Sequence, residues 1–389
     1  MILTNNSRAY LILADGSLFE GSAIGAEGKA IGETVFTTGM TGYMETLTDP
    51  SYFGQIVTQT FPLIGNYGVE SADWESRKSF VRGYIVRELC DEPSNFRSEG
   101  DLNAFLKAQG IVGICGIDTR ALTKRLRESG VMNGMILSGI ENETVHIENY
   151  LSEIRAYKIE DAVKSVQQVE SGSGTAFNET RSQDMLSVCL LDFGAKANIQ
   201  RELEKRGCKV TVLPYDTKAE EVIALAPDGI MLSNGPGDPA ENVGVIEEIR
   251  KLCEWNKELV GARATMAEKA IPIFGICLGH QMLALARGAK TTKLKYGHRG
   301  GNHPCKDLES GRVYITSQNH GYAVEADSLP SFATMNFINA NDGTCEGITY
   351  SDIPAFSLQF HPEACGGPHD TNFLFDRFVD MMKGKRICH

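Results

Sequence analysis

Hydrophobic and polar positions alternate in short runs over the first 150 residues, which is typical of strands that bury one face. An apolar run over residues 9–14, followed by the turn dipeptide Asp15-Gly16, predicts a hairpin over residues 9–24. Asp118-Thr119 is a favourable N-cap pair before leucines at i and i+4, and it predicts a helix from that point. We therefore predict a strand-rich N-terminal domain over residues 1–150, with further strands near 34–36 and 55–58.

Around residues 165–185 apolar content falls and glycine and serine become frequent, and we place the linker region over residues 151–185. This composition predicts a linker. From residue 186 onward, continuous apolar runs that suit buried parallel strands alternate with helical patterns. The runs cover residues 186–191, 209–213, 229–233 and 271–276, and a helix is predicted over 197–206. A doubly wound α/β domain over residues 186–385 is the expected fold, with its ligand site at the carboxyl ends of the strands.

Composition narrows the classes of partner. The chain has 389 residues, 42% of them hydrophobic, and 38 basic against 50 acidic residues give a net charge of −12. This balance argues against nucleic acid as a partner, because such binding needs basic side chains. The ten cysteines include no Cys-x-x-Cys pair, which is typical of reduced thiols rather than disulfides or a zinc site. Without a signal-like N-terminus or an apolar run of about 18 residues, we expect a cytoplasmic protein with no membrane partner.

The segment Gly275-Ile276-Cys277-Leu278-Gly279 carries the clearest chemical signal. A buried strand runs into a Gly-x-Cys-x-Gly turn, and an amphipathic helix follows at once, which is the cysteine form of a nucleophile elbow. The helix N-terminus favours the thiolate of Cys277. The alternative is a structural buried cysteine, the more common role of a lone cysteine.

A cysteine nucleophile needs a base and a group that orients the base. His361 ends a strand-like run, and Glu363 lies two residues later, where its carboxylate can hold the imidazole. His280 is a weaker candidate, since its position on the helix after Cys277 carries it away from the thiol. The loop over residues 233–239, Ser-Asn-Gly-Pro-Gly-Asp-Pro, exposes backbone N–H groups that suit an oxyanion hole. Taken alone, this loop could equally be an ordinary tight turn.

Together, the elbow, this loop and the His-Pro-Glu segment resemble the triad-type, class I glutamine amidotransferase domain. Other motifs are similar to the small subunit of carbamoyl phosphate synthetase, and the resemblance covers nearly the whole chain. These motifs lie at residues 39–43, 47–52, 55–57, 116–123, 297–304 and 318–321.

The resemblance implies that Cys277 attacks the amide of L-glutamine, that His361 is the general base and acid, and that Glu363 orients it. It implies an oxyanion hole from the N–H groups of Gly237 and Leu278. The residues that would hold the substrate are Ser51, Gly235, Gln281, Asn319, Gly321 and Tyr322. The resemblance also implies a large synthetase subunit as partner, to which ammonia passes. That subunit would use ATP and Mg²⁺ to make carbamoyl phosphate for arginine and pyrimidine synthesis, while this chain would hold no cofactor or metal.

The sequence departs from the family at three places. Tyr322 replaces a usual phenylalanine, Phe360 precedes His361 where some relatives have glycine, and residues 259–267 are an apparent insertion that should lengthen the preceding helix or loop. The pair His298-x4-His303 is interpreted as a loop rather than a metal site, because the sequence shows no third ligand.

Two alternative functions remain open at this stage. One is a glutaminase subunit for anthranilate or guanylate synthesis, although those proteins lack an N-terminal domain of this kind. The other is a non-catalytic subunit that binds glutamine or a partner, although an intact cysteine, histidine and glutamate set argues against it.

Overall fold

The structure is a computed structural model that describes residues 7–140, 145–168, 185–261 and 269–385. It divides into two compact units, Met1–Ala162 (unit 1) and Val163–His389 (unit 2). The division falls within the stretch predicted as a linker, whose first part is helical. Residues 169–184 of that stretch and residues 262–267 of the apparent insertion lie outside the described residues.

Unit 1 is built around a closed barrel of seven strands in the order β1-β2-β8-β6-β4-β3-β9, with β5 and β7 forming a separate two-stranded ladder. The strands are β1 (Arg8–Leu13), β2 (Leu18–Gly25), β3 (Gly28–Thr37), β4 (Gln55–Gln59), β5 (Leu63–Ile64), β6 (Gly83–Ile85), β7 (Glu88–Leu89), β8 (Val112–Cys115) and β9 (Met132–Ile140). The helices are α1 (Tyr43–Thr48), α2 (Leu102–Ala108), α3 (Thr119–Ser129) and α4 (Glu148–Ala156), and α5 (Ala162–Val166) begins at the unit boundary.

The local predictions for unit 1 are confirmed. β1 and β2 pair antiparallel as the hairpin, and the Asp15 carboxylate accepts the N–H of Ser17 at 2.9 Å in its turn. Helix α3 begins after Asp118, whose side chain accepts the N–H of Ala121 at 2.9 Å. The barrel closure itself depends on pairing between distant strands, such as β1 with β9.

Unit 2 contains one nine-stranded sheet in the order β11-β10-β12-β13-β18-β17-β16-β14-β15. The strands are β10 (Leu186–Asp192), β11 (Cys208–Pro214), β12 (Gly229–Leu232), β13 (Ile273–Ile276), β14 (Thr291–Asp307), β15 (Val313–Val324), β16 (Ala333–Asn339), β17 (Cys345–Tyr350) and β18 (Ala355–Leu358). The helices are α6 (Ala197–Lys205), α7 (Ala219–Ala224), α8 (Val243–Gly261), α9 (Leu278–Ala286) and α10 (Leu374–Met382).

Strands β11, β10, β12, β13 and β18 are parallel, and helices cover both faces of this part of the sheet. Alternate residues of β10 point to opposite cores: Leu191 packs with residues of α8 and α9, and Leu190 with residues of α6 and α10. The predicted doubly wound domain is therefore confirmed. The remaining strands continue the sheet in antiparallel pairs, which the sequence pattern did not predict. Within the described residues, no helix is long and apolar enough to cross a membrane.

Candidate active site

Cys277 lies between the end of β13 and the start of α9, at the carboxyl edge of the parallel strands. Its φ of 52° is in the left-handed region, which a residue with a Cβ rarely adopts, so the elbow holds the backbone under strain. Both flanking glycines are required by close packing. A Cβ at Gly275 would lie 2.9 Å from the carbonyl of Gly279, and one at Gly279 would lie 2.3 Å from the carbonyl oxygen of Leu232.

His361 and Glu363 form a buried pair after the end of β18. The Nδ1 of His361 lies 2.7 Å from Oε1 of Glu363, and both side chains are inaccessible to solvent. The backbone N–H of His361 donates to the carbonyl of Ser317 at 2.9 Å, which ties this segment to β15. The Cys277 thiol donates to the carbonyl of Asn319, also on β15, at 3.6 Å.

Lys196 is a member of the site that sequence reasoning missed. Its Nζ lies 3.3 Å from Oε1 of Glu363, and its side chain is only 8% exposed. The backbone N–H of Lys196 donates to the side chain of Asn234, at 2.9 Å, so the segment after β10 is joined to the loop after β12. In α/β folds the functional site lies where the carboxyl ends of neighbouring parallel strands meet. The position of Lys196 just after such a strand was the signal that could have indicated it.

The charges of these groups are coupled. Burial alone would raise the pKa of Glu363, but the neighbouring His361 and Lys196 hold it below its ordinary value. Burial and Lys196 disfavour a charged His361 ring, yet Glu363 and Cys277 outweigh them and raise the pKa of His361 above its ordinary value. The imidazole can therefore hold a proton at neutral pH, as an acid that must protonate a leaving group requires.

Four predicted substrate residues lie on or beside β15: Gln281, Asn319, Gly321 and Tyr322. The side-chain amide of Gln281 donates to the carbonyl of Tyr322 at 2.7 Å and to Oε1 of Gln359 at 2.9 Å. The Gln359 amide in turn donates to the sulfur of Cys277 at 3.7 Å. Tyr322 makes this contact through its main chain. Asn319 and Gly321 precede it on the same strand, and Asn319 contacts the thiol through its carbonyl.

The predicted oxyanion loop lies against the elbow. A Cβ at Gly235 would lie 2.8 Å from the side chain of Leu278 and 2.2 Å from the carbonyl oxygen of Phe193, so this position admits only glycine. Gly237 has a φ of 90°, which also favours glycine. Leu278 is the first residue of α9, and its N–H has no intrahelical acceptor. The loop and the helix start thus have the features that the oxyanion prediction needs.

Other residues singled out in the sequence have different surroundings. Nδ1 of His280 lies 2.8 Å from the hydroxyl of Ser357, and burial lowers the pKa of this histidine to about 3, so it is not the base. Phe360 is fully buried and packs edge-on against Phe337, with ring centroids 5.3 Å apart. Ser51 lies in unit 1, in a 3-10 turn where its N–H donates to the carboxylate of Asp49 at 2.9 Å. Its contact with glutamine stays a prediction.

Comparison with known proteins identifies the class of protein to which the second unit belongs. Residues 189–381 match the family "Glutamine amidotransferase class-I", which is the class that the elbow and its buried histidine define. Residues 11–136 match "Carbamoyl-phosphate synthase small chain, CPSase domain". The carbamoyl phosphate synthase small chain of Listeria monocytogenes serotype 4b (strain F2365) is 49% identical over 97% of this chain and 98% of its own. The protein of the same name from Fusobacterium nucleatum subsp. nucleatum is 50% identical over 95% of this chain and 96% of its own.

The chain belongs to the carbamoyl phosphate synthase small chain family. It is a glutaminase subunit of this type of synthase, as the sequence predicted, and the match of residues 11–136 argues against a subunit for anthranilate or guanylate synthesis.

Proposed function

We propose that this chain hydrolyses L-glutamine through a thioester at Cys277 and supplies the ammonia to a large synthetase subunit. The observation that carries the proposal is the elbow: a cysteine at a strained φ of 52°, at the start of a helix, in a cluster with a buried histidine and carboxylate. A purely structural cysteine has no need of this strain or of a neighbouring ionised pair.

In the first half of the reaction, the proton of the Cys277 thiol passes to His361 and the sulfur attacks the side-chain carbonyl carbon of glutamine. The carbonyl oxygen becomes an oxyanion that the N–H groups of Gly237 and Leu278 stabilise. His361 then gives its proton to the amide nitrogen, the C–N bond breaks, and ammonia leaves. A glutamyl thioester remains on Cys277.

In the second half, His361 takes a proton from water, and the hydroxide adds to the thioester carbonyl. The C–S bond breaks, the sulfur regains a proton from His361, and glutamate leaves. Glu363 holds the proton on Nδ1 of His361 throughout, so that Nε2 is the nitrogen that exchanges protons. All of these steps use protein side chains and water, so hydrolysis needs no cofactor.

Substrate binding is assigned to the residues that the family resemblance implies. We propose that Gly235, Gln281, Asn319, Gly321 and Tyr322 position the amide and the amino-acid end of the substrate, and that the hydroxyl of Ser51 also contacts it. In the large subunit, ammonia would react with bicarbonate activated by ATP and Mg²⁺, giving carbamoyl phosphate for arginine and pyrimidine synthesis. A cytoplasmic location follows from this role.

Cys277→Ser tests the proposal. We expect this variant to abolish glutamine-dependent carbamoyl phosphate formation by the complex, because a serine hydroxyl is far harder to ionise than a thiol. The reaction fed with free ammonia should proceed at the wild-type rate, and it serves as the internal control for folding and assembly. Retention of more than about a tenth of the glutaminase activity would contradict the nucleophile assignment, since a change of nucleophile should cost far more.

A further inference from the structure

A second cluster of chemically active side chains lies in unit 2, outside the catalytic triad. His298 on β14, His320 on β15 and Glu346 on β17 are all buried, and one ligand atom of each lies within 4.8 Å of those of the other two. His298 and His320 are directly paired across the β14–β15 ladder. The sequence showed no third ligand for His298, and the fold supplies two from other strands.

The outward-facing nitrogen of each imidazole has a hydrogen-bond acceptor. Nε2 of His298 lies 2.8 Å from the carboxylate of Asp342, and Nδ1 of His320 lies 2.8 Å from the carbonyl of Tyr322. A carboxylate and a carbonyl can only accept, so these nitrogens carry the protons. Metal-binding histidines are held in the same way, by a carboxylate or carbonyl at the nitrogen that does not bind the metal.

The inward-facing nitrogens of the two rings face each other, and such a nitrogen presents a lone pair whenever its ring is neutral. Nδ1 of His298 and Nε2 of His320 are 3.2 Å apart. Oε1 of Gln318 lies 3.1 Å from the same Nε2, and Oε1 of Glu346 lies 3.5 Å from Nδ1 of His298. Two ring nitrogens and two side-chain oxygens thus converge on one point, which is unfavourable unless a proton or a metal ion lies among them. Against the effect of burial, Glu346 and Asp342 raise the pKa of His298, which favours a second proton on this ring when no metal is bound. A single shared proton joins only two of these atoms, whereas a metal ion can bind to all of them.

The spacing suits a small transition-metal ion. Ligands about 2.0–2.1 Å from a tetrahedral Zn²⁺ are roughly 3.3 Å from one another. The 3.2 Å and 3.5 Å separations from Nδ1 of His298 are close to this value. Two imidazoles and one carboxylate are a donor set that zinc accepts. The other oxygen of Glu346 accepts from the amide of Gln318 at 3.0 Å, which fixes the carboxylate.

We propose that His298, His320 and Glu346 form a binding site for a divalent transition-metal ion of the zinc type. The ion would join β14, β15 and β17, on which no catalytic residue of the triad lies. Asp342 lies between the cluster and solvent, since its side chain is 46% exposed while the His298 side chain is 9% exposed. None of the three residues belongs to the triad or to the proposed substrate-binding set, and the zinc test does not depend on glutaminase activity.

Zinc binding to chelator-treated protein is the test, measured by isothermal calorimetry with Zn²⁺ as the probe. The Cys277→Ser variant is the parent protein, because the active-site thiol would itself bind zinc. We expect tight uptake of one Zn²⁺ that Glu346→Gln weakens at least tenfold. Asp342→Asn changes a half-exposed residue behind His298 and should weaken affinity by roughly ten- to a hundredfold. The exposed His369 provides the matched control, His369→Asn, which should leave the affinity unchanged.

Zinc K-edge absorption fine structure of the loaded parent should show imidazole and oxygen ligands. A zinc-dependent rise in melting temperature should appear in the parent and in His369→Asn and be absent from Glu346→Gln. The proposal is overturned if the parent binds no zinc, if the bound zinc has only sulfur ligands, or if Glu346→Gln and Asp342→Asn bind zinc as the parent does.

Discussion

Replacing Glu363 with glutamine tests the electrostatics of the triad most directly, because the two side chains have nearly the same shape. The glutamine oxygen can still accept the Nδ1 proton of His361, so the change removes the charge and keeps the hydrogen bond. In the native site the two atoms are 2.7 Å apart, in a fully buried pair. Charge centres about 4 Å apart at an effective dielectric constant of about 20 attract with roughly 4 kcal/mol.

This loss should appear as a slower reaction. If the imidazolium forms on the way to the rate-limiting transition state, a loss of up to about 4 kcal/mol lowers kcat by roughly a hundred- to a thousandfold. The pKa of His361 should also fall, because the carboxylate is one of the groups that raise it. The alkaline limb of the pH profile for glutaminase activity should therefore move to lower pH.

The assay is ammonia release from saturating glutamine, with the His361 pKa followed independently by NMR of labelled histidine. Glu325→Gln, an exposed position in the same unit, is the matched control. A Glu363→Gln variant with a less than tenfold loss of kcat and an unmoved alkaline limb would refute the assigned role of the carboxylate.

Stability gives a second measurement on the same variant. In the native protein the Lys196 ammonium lies 3.3 Å from the Glu363 carboxylate. Glu363→Gln leaves this ammonium buried without its carboxylate, and breaking a buried pair in this way lowers the free energy of unfolding by about 3–5 kcal/mol. Adding Lys196→Met should recover most of this free energy of unfolding while leaving glutaminase activity low. Because the folded pKa of Glu363 lies below 4.5, its ionised form stabilises the protein above about that pH, and the contribution is lost as pH falls through the folded pKa. Acid denaturation of both variants should lack this contribution.

Three further variants test other parts of the site. Ser51→Ala would remove the proposed hydrogen bond to the charged end of glutamine, a bond worth about 1.5–3 kcal/mol, and should raise the glutamine KM roughly ten- to a hundredfold with little change in kcat. A lower melting temperature with an unaltered KM would leave Ser51 a structural role only. His361→Asn should lower turnover by several orders of magnitude while calorimetry still detects glutamine binding, and equal loss of both would indicate a binding role. Gly279→Ala places a Cβ 2.3 Å from a backbone oxygen and should lower both melting temperature and activity, whereas Gly244→Ala in α8, where nothing lies within 4 Å, should not.

Local sequence was sufficient for the elbow and for the pairing of His361 with Glu363. In the elbow, the strand end, the two glycines, the thiol and the helix start follow one another within a few residues, so one stretch of sequence contains every physical requirement. The histidine and glutamate are two residues apart, and the turn after β18 brings them to 2.7 Å. The doubly wound parallel sheet could also be anticipated, because alternating strands and helices restrict the topology.

Lys196 could not be found in this way, because its role depends on which strands are neighbours. It follows β10, whereas Glu363 follows β18, and two other strands separate these in the sheet. A basic residue in a loop after a strand is common in sequences, and only the assembled carboxyl edge shows that it reaches a buried carboxylate. The histidine cluster was missed for the same reason, since the obvious motif partner of His298, His303, is not among its three members.

Strand β15 explains how one element can serve two sites. Side chains alternate between the faces of a strand, so Asn319 and Gly321 lie on one face while Gln318 and His320 lie on the other. The histidine cluster lies on the face of Gln318 and His320. The strand contacts the elbow through its backbone, where the Asn319 carbonyl accepts from the Cys277 thiol. The carbonyl of Tyr322 joins the two, because it accepts both from the ring of His320 and from the amide of Gln281. The register of β14 against β15 therefore constrains the proposed substrate site as well as the cluster, and neither strand can shift without disturbing both.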